Sequence, residues 1–353
     1  MSFLNTNKVL HHPQRYAEWY SSGDTSAPVT VKIDLTNVCN HDCPGCIDHD
    51  LIDNDNNHLP YDVFETLLPD LKAAGVKGIN YTGGGEPTVH KEFDKIVRLT
   101  NELGLEIGLI CNGSRFHSWP MEELLKMFTW IRVSLDSYDK KTHIRTHGLT
   151  ARFKKTVENI DLLVDIKRRQ TLDTILGAGY ITNQHADMDR NVYRFIEVCK
   201  NAGVDYAQLR PSFGFMYDYS TIPSDEWEVI FDSLAKYETD DFKIYIDRGK
   251  FQKILSGKPL SRNYQWCHAQ SFKSTSITAD GGVYICCSLS GDKRGLIGNI
   301  KSERFKDIWA GNQRKDTLNN LDVSKCPHLC VGDNLNEFLD EIRKRKVMHP
   351  NFL

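Results

Sequence analysis

Long hydrophobic runs are missing from this 353-residue chain, and residues 1 to 30 are polar, without an apolar core segment. The first absence excludes a membrane-spanning helix, which needs roughly eighteen or more apolar residues, and the second excludes a secretion signal. Excess charge is missing too: the formal net charge is -3, and the basic residues are scattered apart from short runs such as KRRQ (167 to 170) and RKRK (343 to 346). No basic stripe is present of the kind that phosphate backbones attract, so neither nucleic acid nor a membrane is expected as a partner. Internal repeats and low-complexity linkers are also lacking, and the expected location is the cytoplasm.

Cysteine, by contrast, is plentiful, with ten in the chain. Without a secretion signal they argue against a disulfide framework, because reducing compartments keep thiols free and use clustered ones for metals or redox work. Seven fall in two groups: Cys39, Cys43 and Cys46 near one end, and Cys267, Cys286, Cys326 and Cys330 near the other, with Cys287 beside one member. Cys111 and Cys199 stand alone.

Between the two groups, short β-branched runs alternate with segments of helical period, the signature of βα units and a parallel sheet. Six strands are expected: TVKIDL (30–35), GINYT (78–82), EIGLI (106–110), WIRVSL (130–135), TILGAGYI (174–181) and YAQLR (206–210). Six are too few for the usual closed barrel of eight. Among the helices, Val63, Phe64, Leu67, Leu68 and Leu71 repeat at three and four before Gly75, where a helix would end. Phe93, Ile96 and Val97 mark the next helix, and Phe153, Val157, Ile160 and Val164 a later one. The series fades after about residue 238, and the rest, rich in Gly, Cys and turns, reads as a smaller unit. The expected division is an N-terminal extension (1–29), an α/β barrel unit (30–238) and a cysteine-rich unit (239–353).

The triplet CNHDCPGC follows the first strand, on the side where parallel barrels place their chemistry. A structural zinc site wants four protein ligands, which here would need His41, His49 or His58 beside the three thiols. An iron–sulfur cluster held by three cysteines instead leaves one iron open to a small ligand. The Cys-x-x-x-Cys-x-x-Cys pattern of Cys39, Cys43 and Cys46, after the first strand of a partial barrel, resembles the radical S-adenosylmethionine (radical SAM) superfamily. That resemblance implies a partial (βα)6 TIM-like barrel and a four-iron four-sulfur (4Fe–4S) cluster on the three thiolates. The open iron then belongs to the amino and carboxylate groups of S-adenosylmethionine.

YTGGGEP (81–87), after the second strand, resembles the family's glycine-rich stretch that receives the methionine amino group, which makes Gly83, Gly84, Gly85 and Glu86 cofactor candidates. Glycine suits this task because backbone can approach a ligand without a Cβ in the way. In related enzymes, polar groups after the third and fourth strands contact the cofactor's ribose and carboxylate. The matching positions are Asn112, Ser134 and Arg145, the last as a guanidinium fork for the carboxylate.

In the second group, Cys267 and Cys286 flank a hairpin-like stretch whose turn is ADGG, and CPHLC completes four thiols. Four thiolates fill the shell of a zinc ion or of a closed iron–sulfur cluster. The stretch looks like the auxiliary-cluster module of radical SAM enzymes in its short form, the twitch domain, related to the longer SPASM domain. It therefore implies a second 4Fe–4S cluster on Cys267, Cys286, Cys326 and Cys330, with Cys286 preferred over Cys287 because the ligand lies two residues after the aromatic Tyr284.

The resemblance implies cleavage of S-adenosylmethionine to a 5′-deoxyadenosyl radical, with electrons from a flavodoxin- or ferredoxin-type donor, and hydrogen abstraction from substrate. Only about thirty residues precede the first strand, where peptide-modifying relatives often carry a leader-recognition domain. That favours a small polar molecule such as a sugar or aminoglycoside-like intermediate, oxidised with the auxiliary cluster as electron acceptor. Epimerisation with a thiol hydrogen donor, Cys287 or Cys111, and peptide maturation are the alternatives, and a non-enzymatic protein with two structural zincs is the distant one. Phe213, Phe215, Tyr217 and Tyr219 are expected near the barrel mouth, and no catalytic base is assigned.

Overall fold

The structure is a computed structural model that describes residues 6–52, 57–182, 188–212, 224–256, 261–272, 274–327 and 329–344. The four aromatic residues between 213 and 219 lie outside them. An N-terminal helix α1 (Pro13–Ser22) precedes β1 (Thr30–Asp34). Then come α2 (Tyr61–Ala74), β2 (Gly78–Thr82), α3 (Phe93–Glu102), β3 (Glu106–Cys111), α4 (Met121–Leu124) and β4 (Trp130–Ser134). The series continues with α5 (Lys140–His147), α6 (Phe153–Gln170), β5 (Ile175–Thr182), α7 (Met188–Ala202) and β6 (Tyr206–Pro211). After α8 (Ser224–Leu234) come β7 (Lys243–Ile246) and α9 (Arg248–Leu255). The C-terminal part holds α10 (Ala269–Phe272), β8 (Ser274–Ile277), β9 (Gly282–Tyr284), β10 (Leu296–Asn299), α11 (Phe305–Ala310), α12 (Asn312–Asn319) and α13 (Asp333–Lys344).

All strands join one ten-stranded sheet in the order β10-β9-β8-β1-β2-β3-β4-β5-β6-β7. Neighbours from β1 to β7 are parallel, and the helices between them make the partial TIM-like barrel. The parallel series does not stop near residue 238. KIYI forms β7, a half-exposed edge strand beside β6, too short and too little buried to stand out as a run. The C-terminal part is stitched into the same sheet, because β8 pairs in parallel with β1 before turning through Gly281 (φ +88°) into antiparallel β9.

Burial alternates along β2 and β4, as period-two geometry requires, while β5 is buried on both faces. In β4, Ile131 and Val133 are buried on the helix side, while Trp130, Arg132 and Ser134 are half-buried on the lumen side. The helix-side core collects Ile33, Ile79, Leu109, Val133 and Leu209 from the strands, with Phe64, Leu68, Ile96 and Ile160 from the helices. Gly75 closes α2 in the left-handed region (φ +93°), as its position in the sequence requires.

The N-terminal extension is a brace on the C-terminal part. Trp19 is fully buried with Phe272 and Leu339, and the Trp309 Nε1–H donates to the Thr25 carbonyl at 2.9 Å. Arg314, 1% exposed, meets both carboxylate oxygens of Asp24 at 2.6 and 2.7 Å and stacks on Trp309. Among the described residues no helix is long and apolar enough to cross a membrane.

Candidate metal centres and cofactor site

The loop after β1 is built around Cys39, Cys43 and Cys46, all free thiols. Backbone and side chains from three later loops hold it. The Asn112 amide donates to Asn40 Oδ1 at 2.8 Å, Asn40 in turn donates to Ser114 Oγ at 2.8 Å, and the Thr150 hydroxyl donates to the Asn40 carbonyl at 3.0 Å. Gly148 (φ +86°) passes so close to Asp42 that a Cβ there would lie 1.7 Å from its carboxylate oxygen. Burial raises all three thiols, Cys39 to about 11, and charge on the neighbouring cysteines raises Cys39 and Cys43 further. The bare thiols therefore stay protonated, and iron bound to them would have to displace those protons.

Histidines crowd the same loop. His41 Nδ1 or Nε2, Cys43 Sγ and a His147 ring nitrogen lie within 4.8 Å of one another. His147 Nδ1 is 3.5 Å from Cys43 Sγ, while Nε2 is 3.0 Å from the Leu135 carbonyl and 3.5 Å from an Asp136 oxygen. Burial lowers His41, His143 and His147, so these rings favour the neutral state. His58 instead packs against His90, with ring centroids 5.5 Å apart. His147 and His143 had no signal in the sequence, because the contact bridges about a hundred residues.

The glycine turn docks against this loop. Gly85 N–H donates to the Thr36 carbonyl and Glu86 N–H to the Val38 carbonyl, each at 2.9 Å. A Cβ on Gly85 would lie 2.2 Å from the Val38 carbonyl oxygen, so only glycine fits. Glu86, 3% exposed, accepts the backbone N–H of Asn112 at 2.7 Å and both the N–H (3.0 Å) and hydroxyl (2.5 Å) of Thr88. Its carboxylate thus fastens the turn to the end of β3. Asn112 is committed to Asn40 and to the Ser114 N–H, which it accepts at 3.0 Å. Ser134 ends β4 on the lumen side, whereas Arg145 lies on α5 with an exposed side chain.

Cys111, a candidate hydrogen donor only under the epimerase alternative, shares strand parity with Ile107 and Leu109 and is 3% exposed in the helix-side core, which takes it out of that role. That parity was readable in EIGLIC. Cys199 is likewise core, on α7.

In the second cysteine group, charge on Cys330 and Cys326 acts on Cys267, and charge on Cys287, Cys330 and Cys267 acts on Cys286. Donors point at the sulfurs: Asn336 Nδ2 lies 3.4 Å from Cys267 Sγ and the Gly332 N–H 3.4 Å from Cys330 Sγ. Burial pushes Cys267 up to about 11 and raises Cys286 as well, so the bare thiols stay protonated and a bound metal would have to displace those protons. Cys287 is half-buried, and its charge acts both on Cys286 and on Lys32, which lies on the lumen side of β1.

Comparison with known proteins matches this architecture. Residues 33–192 match the model of the radical SAM superfamily, and residues 267–333 match that of an iron–sulfur cluster-binding domain, SPASM. The chain is 25% identical over 350 residues to GTP 3′,8-cyclase of Staphylococcus saprophyticus, covering 92% of this chain and 95% of that protein. It is 28% identical over 172 residues to the S-adenosylmethionine-dependent nucleotide dehydratase of Selenomonas ruminantium, covering 46% of this chain and 60% of that protein. Among solved structures, Streptococcus suis SuiB bound to S-adenosylmethionine superposes with a TM-score of 0.65 at 16% identity, over 86% of this chain and 70% of that one. Native anSMEcpe with bound AdoMet gives 0.57 at 17% identity, over 83% of each.

Proposed function

The chain belongs to the radical SAM superfamily, carrying a cluster that binds S-adenosylmethionine and an auxiliary iron–sulfur cluster, and we propose that it oxidises a sugar-like carbon of a small polar substrate held in the barrel lumen. When bound, the cofactor and first cluster supply the radical that removes the hydrogen atom. Cys39, Cys43 and Cys46 hold that cluster, and Gly83 to Gly85 with Ser134 and Arg145 receive S-adenosylmethionine. Glu86 and Asn112 fix the turn and loop that do so.

What supports this reading is the iron–sulfur cluster-binding match over residues 267–333, within which Cys267, Cys286, Cys326 and Cys330 would fill a cluster's shell and suit it to transfer of one electron. Oxidation requires the substrate radical to lose that electron and one proton. Asp34 Oδ1, 3.3 Å from Lys32 Nζ on the lumen wall, is the proton acceptor in this proposal, since burial raises its carboxyl to about 6. The relatives named for GTP and for nucleotides support a small, polar, sugar-bearing substrate.

One observation favours a second reading. Cys287 is a half-buried free thiol whose charge reaches Lys32 on β1 as well as Cys286, so if it is not a cluster ligand it would return a hydrogen atom and give epimerisation. Turnover in deuterium oxide separates the two, because a thiol exchanges with solvent before delivering its hydrogen. Oxidation gives a product two electrons poorer with no new carbon-bound deuterium; an isomer with one deuterium, lost in Cys287→Ala, establishes epimerisation instead.

A further inference from the structure

Two guanidinium groups on the lumen wall are left unused by the cofactor motifs. Arg132 comes from β4, two residues before Ser134, and Arg210 from the end of β6, paired with Ile181 of β5. Arg132 reaches over β5 to donate through Nη1 to Gln208 Oε1 at 2.7 Å. The side chain passes over Gly179, whose Cβ position lies 3.6 Å from Arg132 Cδ, in ordinary contact. The Nε atoms of both Arg132 and Arg210 are buried without a hydrogen-bond partner.

That arrangement costs free energy as it stands. A buried polar group without a partner is unfavourable, and two like charges brought together in a desolvated wall add repulsion. Desolvation and then the charge of Arg210 hold Arg132 down to about 9, and desolvation also lowers Arg210. The nearby acids do not match both charges. Asp136 attracts both guanidiniums, but it is one carboxylate for two cations and also accepts the Ile181 N–H at 2.5 Å, while Asp34 is paired with Lys32 and Asp247 is 3.4 Å from Lys250. A surplus of positive charge therefore faces the lumen. A guanidinium carries five donors in a planar fork that matches carboxylate or phosphate oxygens.

We propose that Arg132 and Arg210 form an anion pocket that receives a phosphate or carboxylate group of the substrate, which deepens the reading of the lumen as substrate chamber. The fixed guanidiniums would anchor the charged end of the molecule and present its neutral, sugar-like carbon to the cofactor. The same chemistry would also suit the carboxylate of S-adenosylmethionine, so the test must tell the two anions apart.

The probe is inorganic pyrophosphate, titrated calorimetrically into the anaerobically reconstituted enzyme already saturated with S-adenosylmethionine. Saturable binding is expected, weakened at least tenfold in Arg132→Gln and in Arg210→Gln, while the affinity for S-adenosylmethionine stays within about twofold. No saturable binding, equal binding in the variants, or a tenfold loss of S-adenosylmethionine affinity instead each overturns the proposal, the last by assigning the pair to the cofactor. Thermal midpoints identify a variant that does not fold. In that event Arg132→Lys and Arg210→Lys, which keep the charge and lose the fork, carry the comparison, and pyrophosphate binding as tight as in the parent overturns recognition by the fork. Formation of 5′-deoxyadenosine by the parent is measured separately. A parent that makes none, yet binds pyrophosphate through both arginines, fails the radical reading and leaves the pocket standing.

Discussion

The carboxylate of Glu86 accepts the backbone N–H of Asn112 at 2.7 Å, tying the glycine turn after β2 to the end of β3 while Asn112 ties β3 to the cysteine loop. Glu86→Ala would leave that N–H and both Thr88 donors buried without an acceptor, at a cost of about 1–3 kcal/mol each. A lower thermal midpoint and weaker retention of iron by the first site are expected. An unchanged midpoint would show that water replaces the carboxylate at no cost.

Gly85→Ala should be more damaging than Gly83→Ala. The new Cβ at 85 would meet the Val38 and Thr36 carbonyl oxygens at 2.2 and 2.7 Å, backbone atoms that cannot swing aside, whereas at 83 the closest contact is 3.1 Å. Titration with S-adenosylmethionine is expected to show a loss of at least tenfold for the first variant and a smaller one for the second. Equal losses would mean that the turn moves freely against the cysteine loop.

Cys286→Ala should remove the auxiliary cluster and about half of the iron, since Cys286 is the member coupled to Cys267 and Cys330, while Cys287→Ala keeps full iron. Iron and sulfide analysis decides this, and the reverse pattern would exchange the two neighbours.

Asp24→Ala leaves Arg314 buried beside Trp309 without its counter-charge, which is expected to cost about 3–5 kcal/mol in urea unfolding. Burial would raise the Asp24 carboxyl, but its hydrogen bonds to Arg314 win and hold it below the ordinary value. The stability from this pair is therefore complete above about pH 4 and fades as pH falls below it. A variant as stable as the parent would show that the N-terminal brace is dispensable.

Much of this was legible because the signals are local. GINYT is β2 to the residue, and Gly75 caps α2, because one short window carries the period and the stop. The spacing of Cys39, Cys43 and Cys46 points to a ligand group from the sequence alone, since a loop of eight residues can hold its thiols near one another without the rest of the fold. What escaped is what only folding brings together: the contact of His147 with Cys43, the crossing of Arg132 to Gln208, and the clasp of Asp24 by Arg314, 290 residues apart. A weaker signal was present for the lumen. Lys32, Arg132 and Arg210 are charges inside strands otherwise rich in β-branched and apolar residues, and strand parity sets Arg132 on the side of Ser134. The same parity turns Cys111 away from it.

Arg145 is exposed on α5, whereas Arg132 and Arg210 are half-buried on the lumen wall, so the role of Arg145 toward the cofactor carboxylate needs its own test. Arg145→Ala is expected to leave thermal stability unchanged and to weaken S-adenosylmethionine by about 1.5–3 kcal/mol, the worth of a charge-assisted hydrogen bond. Unchanged affinity would remove Arg145 from the cofactor site.

Reductive cleavage of S-adenosylmethionine by the reconstituted protein is the most direct measurement of all. Protein carrying about eight irons, given dithionite and S-adenosylmethionine without oxygen, should release 5′-deoxyadenosine and methionine in equal amounts. The variant with Cys39, Cys43 and Cys46 all replaced by Ala should release neither while keeping about half the iron. A colourless protein holding two zincs, or a fully iron-loaded one that leaves S-adenosylmethionine intact, would contradict the assignment of this fold to radical chemistry.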